Sequence, residues 1–176
     1  VAGNEMRALY PKETIEGQHW FGCLSAMDKE VGRLRTKLRS LGIADNTIVW
    51  FCSDNGPSYI HDFNSAGPFS GKKATLWEGG IRVPGIVEWP AKLKGQRVLT
   101  APIGTSDFYP TMLAAVGIEA PENQPILDGE NVLPLLTGEK KERGSYIAFQ
   151  APVMNDKNVH AKKGSLQMCL HNDRYK

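Results

Sequence analysis

The sequence predicts an α/β fold. A long amphipathic helix, Gly17 to Leu41, leads through a short turn into a run of β-branched and aromatic residues, Thr47 to Cys52, and together they make half of an α/β unit. A second strand-like run, Val83 to Trp89, follows a polar loop of about thirty residues, and a loop that long between core strands is uncommon unless it has a function.

Val1 to Glu16 shows no clear period and contains Pro11, so it reads as a connecting segment. In the helix, Leu24, Met27, Val31, Leu34, Leu38 and Leu41 recur at spacings of three and four, the pattern of a stripe that faces a core. Lys29, Arg33, Lys37 and Arg39 read as its wet face, and Gly42 stands where a left-handed glycine would end it. Thr47 to Cys52 reads as a buried strand that stops at Ser53-Asp54-Asn55-Gly56-Pro57, because Asn, Gly and Pro together do not continue a strand interior. In Val83 to Trp89, Pro84 lies near the start, where a missing N–H is best tolerated. Pro90 to Gln96 is loop. Ser106-Asp107 predicts an N-cap for a helix from Phe108 to Val116, with Pro110 in its first turn and Gly117 closing it. Pro121 to Pro125 is loop and Asp128-Gly129 a turn; a short apolar piece, Val132 to Leu136, ends at Gly138. Tyr146 to Gln150 reads as a strand. Ser165 to Leu170 reads as another, with His171-Asn172-Asp173 turning into a second strand that has only begun at Arg174-Tyr175-Lys176.

At 176 residues the chain is long enough for one domain with a sizeable core, or one domain and part of another. Its 41% hydrophobic and 23% charged residues are ordinary for a globular protein. A net charge of +2 gives no reason to expect a nucleic-acid partner, and Lys140-Lys141-Glu142-Arg143 reads as a solvated loop. No stretch approaches the roughly 18 apolar residues of a membrane span, and none reads as a signal peptide. Cys23, Cys52 and Cys169 lie far apart without a CxxC spacing, so they predict neither a metal site nor a redox compartment. A start at Val1 rather than Met, and a stop within an element, predict a piece of a longer protein.

The chemistry-bearing residues fall in the long loop. Asp54 and Asn55 follow the carboxyl end of a predicted strand, where open α/β sheets bind ligands. A carboxylate beside an amide oxygen suits a hard cation such as Ca²⁺ or Mg²⁺, although Asp-Asn-Gly-Pro is also an ordinary turn. Lys72 and Lys73 lie between Gly71 and Gly79-Gly80, where backbone can approach a ligand closely and a lysine could donate to an oxyanion; paired lysines also serve simply as solubilising charge. The segment is no Walker A loop, since GxxxxGK[ST] is absent. His61 could act as acid, base or ligand, or as none of these.

Taken together, these segments resemble the C-terminal part of the sulfatase family, close to its arylsulfatase and N-acetylgalactosamine-6-sulfatase branch. The resemblance covers nearly the whole chain. It runs through Ala26-Met27-Asp28-Lys29-Glu30-Val31-Gly32-Arg33, Leu41 to Val49, Ser53-Asp54-Asn55-Gly56, Lys73 to Pro84, Asp107 to Thr111 and Asp128 to Pro134. The SDNG and KxxLWEGGxRxP signals are specific in combination.

The resemblance implies an incomplete α/β sandwich of the alkaline-phosphatase type over residues 1–140, followed from 141 to 176 by the start of a small C-terminal α+β subdomain. It implies that Asp54 and Asn55 are two ligands of a Ca²⁺ ion, with Mg²⁺ as the alternative, and that Lys73, five residues before the Glu of the EGG motif, contacts the sulfate. Lys72 is the lesser candidate and His61 a possible substrate contact. It implies sulfuric ester hydrolysis by the full-length protein, on a sulfated sugar or aryl sulfate, in an exported or lysosomal setting. The family's formylglycine arises from a Cys/Ser-x-Pro-x-Arg motif, and none is present here. The paired aspartates that complete the metal site, and the upstream Lys and His around the sulfate, are also absent. This predicts that the piece alone is inactive, and that the remaining half of the protein, or self-association, covers surfaces left open. The rival readings are a metal-dependent phosphodiesterase or phosphonate hydrolase of the same superfamily, and a non-catalytic sulfatase-like binding module.

Overall fold

The structure of the protein, a computed structural model, describes residues 1–58, 66–152 and 166–173. Its helices are α1 (Asn4–Arg7), α2 (Ile15–Ser40), α3 (Glu78–Ile81), α4 (Phe108–Val116) and α5 (Leu133–Thr137). The strands form two pairs, β1 (Val49–Cys52) with β2 (Gly85–Glu88) and β3 (Ile147–Pro152) with β4 (Leu166–His171). The chain divides into two compact units, Val1–Trp50 with Val87–Ala91, and Phe51–Ile86 with Lys92–Lys176. The mixed α/β character read from the sequence is present.

In the first unit, α2 begins where the Thr14 hydroxyl accepts from the Gly17 N–H at 3.1 Å. It ends in a Schellman motif: Gly42, at φ +69°, donates to the Arg39 carbonyl and Ile43 to the Leu38 carbonyl. Glu16 in the first turn and Lys37 and Arg39 in the last complement the helix dipole. The segment expected to be a connector carries α1, which packs on α2 through small residues. A Cβ on Gly22 would stand 2.8 Å from that of Ala2. Tyr10 lies against Phe21, ring centroids 5.4 Å apart, and its hydroxyl is 2.6 Å from that of Ser25.

The predicted inward stripe of α2 is therefore corrected. Leu24, Met27, Leu34 and Leu41 are 43–55% exposed, while Gly17 and Gly22 are buried. The reason is close packing: α1 approaches where α2 lacks side chains, and a hydrophobic period cannot register a glycine face. Arg35 closes the unit with a two-pronged pair to Glu88, Nε to Oε2 at 2.6 Å and Nη2 to Oε1 at 2.8 Å. Trp89 is buried, and the Ala91 N–H donates to the Asp45 carbonyl at 2.8 Å.

The expected buried strands are also corrected. β1 is half-buried throughout, and in β2 Gly85 and Ile86 are exposed. A pair of strands keeps an unpaired edge on each side, so an apolar run gains cover only in part.

In the second unit, α4 has the bounds the sequence predicts, and Gly117 at φ +71° closes it. A 3₁₀ turn (Thr105–Asp107) precedes it, and the Asp107 side chain does not cap the helix as expected. It reaches back to the Gly104 N–H (2.8 Å) and across to the Glu130 N–H (2.9 Å), and it pairs with Arg143 at 3.0 and 3.1 Å. Both side chains are fully buried. The expectation of a solvated loop thus holds for exposed Lys140, Lys141 and Glu142 and is overturned for Arg143.

Around this pair sit Thr111, whose hydroxyl accepts from the Val132 N–H at 3.0 Å, and buried Val132, Leu135, Leu136 and Ile147. The apolar piece at 132–136 forms α5, ended by Gly138 at φ +90°. Arg97 donates to the carbonyls of Leu135, Leu136 and Thr137, so a cation satisfies the end of α5. β3 and β4 pair antiparallel, from Ile147 opposite His171 to Pro152 opposite Leu166. The strand read at 165–170 thus pairs backward with β3, and the expected strand at 174–176 lies outside the described residues.

Candidate functional site

The site is built within Phe51–Ile86 of the second unit. After β1 the chain turns at once: the Ser53 N–H donates to the Pro84 carbonyl at 3.2 Å, and the Ser53 hydroxyl to the Asn55 carbonyl at 3.0 Å. These two bonds present Asp54, which is exposed, and Asn55, which is half-buried. The Asn55 amide nitrogen donates to Asp54 Oδ2 at 2.7 Å, and the amide oxygen and the other carboxylate oxygen keep acceptor capacity.

The lysine segment is a tight turn. The Thr75 N–H donates to the Lys72 carbonyl at 3.0 Å, and Ala74, its third residue, has φ +68°. A positive φ there is the mark of a type II turn, normally reserved for Gly or Asn, so Ala74 holds a conformation that costs on the order of 1 kcal/mol. Thr75 compensates. Buried at 4% exposure, its hydroxyl donates to the Lys72 carbonyl (2.8 Å) and accepts from the Lys72 N–H (3.2 Å). The turn leaves Lys73 exposed and Lys72 half-buried.

Backbone hydrogen bonds join this turn to the Asp54-Asn55 loop. Lys73 N–H donates to the Pro57 carbonyl at 3.0 Å, Gly56 N–H to the Gly80 carbonyl at 2.9 Å, and Gly79 N–H to the Ser70 carbonyl at 2.7 Å. The glycines permit the approach. A Cβ on Gly56 would collide with the Gly79 carbonyl, one on Gly79 with the Gly71 carbonyl, and one on Gly80 with the Thr75 carbonyl. α3 is braced by Arg82, which lies 4.7 Å from the centre of the Phe69 ring and 3.5 Å from Glu78.

The structure therefore gathers Asp54, Asn55, Lys72 and Lys73 onto two loops stitched to each other. His61 lies outside the described residues. Sequence reasoning missed Thr75, whose one signal is its place three residues after Lys72, and it did not foresee that Gly79 and Gly80 stand against backbone carbonyls.

An oxygen pair of this kind fits a hard cation, although two donors fall short of the six to eight that Ca²⁺ takes. Among the described residues no cluster of three or more His, Cys, Asp or Glu side chains supplies the rest. Oxygen donors for a cation, with a lysine for an oxyanion, are a donor set suited to hydrolysis of phosphate or sulfate esters.

Comparison with known proteins gives the family. Residues 18–118 match the Sulfatase family model, and residues 69–175 match that of N-sulphoglucosamine sulphohydrolase, C-terminal. The first match alone spans more than half of the chain: it belongs to the sulfatase family. It is 32% identical to the steryl-sulfatase of Homo sapiens over 154 residues, 81% of this chain and 26% of that protein. It is 37% identical to the N-acetylgalactosamine-6-sulfatase of Canis lupus familiaris over 115 residues, 64% of this chain and 22% of that protein. A crystal structure of Ps i-CgsB in complex with k-i-k-neocarrahexaose superposes with a TM-score of 0.81 at 28% identity, covering 98% of this chain and 36% of that one. The chain thus spans about a quarter of the length of these curated relatives.

Proposed function

We propose that this chain supplies one wall of the active site of a sulfuric ester hydrolase acting on a sulfated carbohydrate or an aryl sulfate. In this reading Asp54 and Asn55 hold two positions of a Ca²⁺ ion, or Mg²⁺, and the Lys73 ammonium holds a sulfate oxygen. The observation that carries it is the backbone stitching of the Asp54-Asn55 loop to the lysine turn, through Lys73 to Pro57 and Gly56 to Gly80. It makes an acceptor pair and a cationic donor parts of one rigid frame, and such preorganisation stabilises charge as it develops on a transferring group. The cation, when bound, would polarise the sulfate and neutralise its charge.

Lys73 is favoured over Lys72 by geometry. It is exposed at the first central position of the turn, whereas Lys72 is half-buried, with its N–H and carbonyl both engaged by Thr75. The nucleophile, a formylglycine, comes from residues other than these 176, which contain no Cys/Ser-x-Pro-x-Arg motif. On this reading the chain alone turns over no ester.

The same reading assigns residues 1–140 to an alkaline-phosphatase-like α/β sandwich and 141–176 to the start of a small C-terminal α+β subdomain. The antiparallel pairing of β3 with β4 is consistent with that start. It places the parent protein in an exported or lysosomal setting. Among the described residues no helix is long and apolar enough to cross a membrane.

The test uses the full-length protein that contains this sequence, assayed with p-nitrophenyl sulfate. Lys73→Ala should lower kcat/KM by about a hundredfold or more, the usual loss for one oxyanion-stabilising donor. Lys72→Ala should stay within a few-fold, and Asp54→Ala should weaken Ca²⁺ binding measured by calorimetry. A Lys73→Ala variant as active as the parent would sink the assignment, and a larger loss from Lys72→Ala would transfer the role to Lys72.

A further inference from the structure

We propose that Trp77 is a specificity-determining residue of this site, a stacking platform for the ring of the sulfate ester held at Lys73; the inference rests on the sulfate-ester reading above. Trp77 is 47% exposed, although Thr75, Gly79 and Gly80 beside it in sequence are all buried. Its position is nevertheless fixed. A Cβ on Gly71 would stand 2.5 Å from Trp77 Cβ and 3.1 Å from Cγ, so the root of the indole presses on the residue that precedes Lys72. The Trp77 carbonyl accepts from the Gly80 N–H at 2.8 Å and the Ile81 N–H at 3.2 Å, which ties its backbone to α3.

A single exposed apolar residue needs no explanation in general. This one differs because it is the largest side chain on the loop, is pinned at its base, and is rooted beside the lysine turn. Holding an indole half in water forgoes much of the burial such a residue normally gains. A rigid aromatic face offers stacking to any flat or apolar ring face without directional hydrogen bonds, and such stacking is worth about tenfold in binding or more. The apolar face of a sulfated pyranose and the ring of an aryl sulfate share that chemistry.

The experiment compares the full-length parent protein with its Trp77→Ala and Trp77→Phe variants on p-nitrophenyl sulfate and on a monosaccharide 6-sulfate, with inhibition by inorganic sulfate measured alongside. Trp77→Ala should raise KM for a ring ester about tenfold while inhibition by inorganic sulfate stays within about twofold, since inorganic sulfate has no ring to stack. Trp77→Phe should recover most of the loss, and the ester with the larger KM change identifies the ring. Quenching of tryptophan fluorescence by that ester should be present in the parent and reduced in Trp77→Phe. An active parent whose Trp77→Ala variant keeps its KM for both esters overturns the platform alone. Equal weakening toward the esters and inorganic sulfate, or a Phe variant as poor as the Ala variant, makes Trp77 a packing residue and overturns it too. A parent that hydrolyses neither ester overturns the sulfate-ester reading and the platform with it.

Discussion

Arg143 carries its guanidinium into a fully buried position and directs hydrogen bonds at the Pro102 and Ser145 carbonyls, the Ser145 hydroxyl and both oxygens of Asp107. Every donor of the planar fork has a partner. Truncating one member of such a pair strands the other's charge in a place without water, which costs about 3–5 kcal/mol. Arg143→Ala should lose that much in urea unfolding, and Arg143→Lys should lose less but still clearly, because one ammonium cannot reproduce the fork. A loss under about 1 kcal/mol for Arg143→Ala would show that the pair is not what holds this region. None of this was legible in the sequence. Lys140-Lys141-Glu142-Arg143 is locally a solvated run, and nothing near Arg143 points to an aspartate so far upstream. Asp107 was misread for the same reason: residue type and position suggest a cap, and only the tertiary fold shows the carboxylate turned to Gly104, Glu130 and Arg143. In the proposed site, Asp54, Asn55 and Lys73 stand out in the sequence because their motifs are local. The contacts that bring their loops together lie between residues far apart in sequence.

Elements defined by local chemistry were the ones read well. α4 was found through Pro110 and Gly117, and the end of α2 through Gly42. What α2 packs against was not legible, since its contacts are made at Gly22 and by the Arg35–Glu88 pair. That pair allows a prediction at the scale of the element. The Arg35 hydrogen bond, reinforced by its charge, holds the Glu88 carboxyl below the ordinary glutamate value. A carboxyl with a depressed folded pKa contributes stability that is present above its unfolded pKa and lost as pH falls through the folded one. Both side chains are substantially exposed, so the effect is small. Glu88→Gln should lower the melting temperature by about 1–3 °C near neutral pH, and the gap should close below about pH 4. Melting curves of the two proteins from pH 7 to pH 3 test this; a gap that stays constant to pH 3 would detach it from Glu88 ionisation.

At the scale of the molecule, each unit leaves apolar side chains in water. Leu24, Met27, Leu34 and Leu41 line one side of α2, and on β4 alternate residues Leu166, Met168 and Leu170 are 55–74% exposed. Covering one half-exposed side chain of this size is worth roughly 1 kcal/mol. The two groups together therefore hold a driving force comparable to the whole stability of a small domain, about 5–15 kcal/mol. We expect such a surface to be covered rather than left free. In relatives about three times as long, further chain is available to lie over such faces. We expect the isolated 176-residue chain to bind a hydrophobic dye such as ANS and to associate as its concentration rises. Leu34→Lys should reduce that association if the α2 stripe drives it, and Met168→Lys should do so if the β4 face does. Sedimentation velocity across a concentration series decides the matter. A monodisperse monomer with a single sharp thermal transition and no dye binding would show that these faces are stable in water.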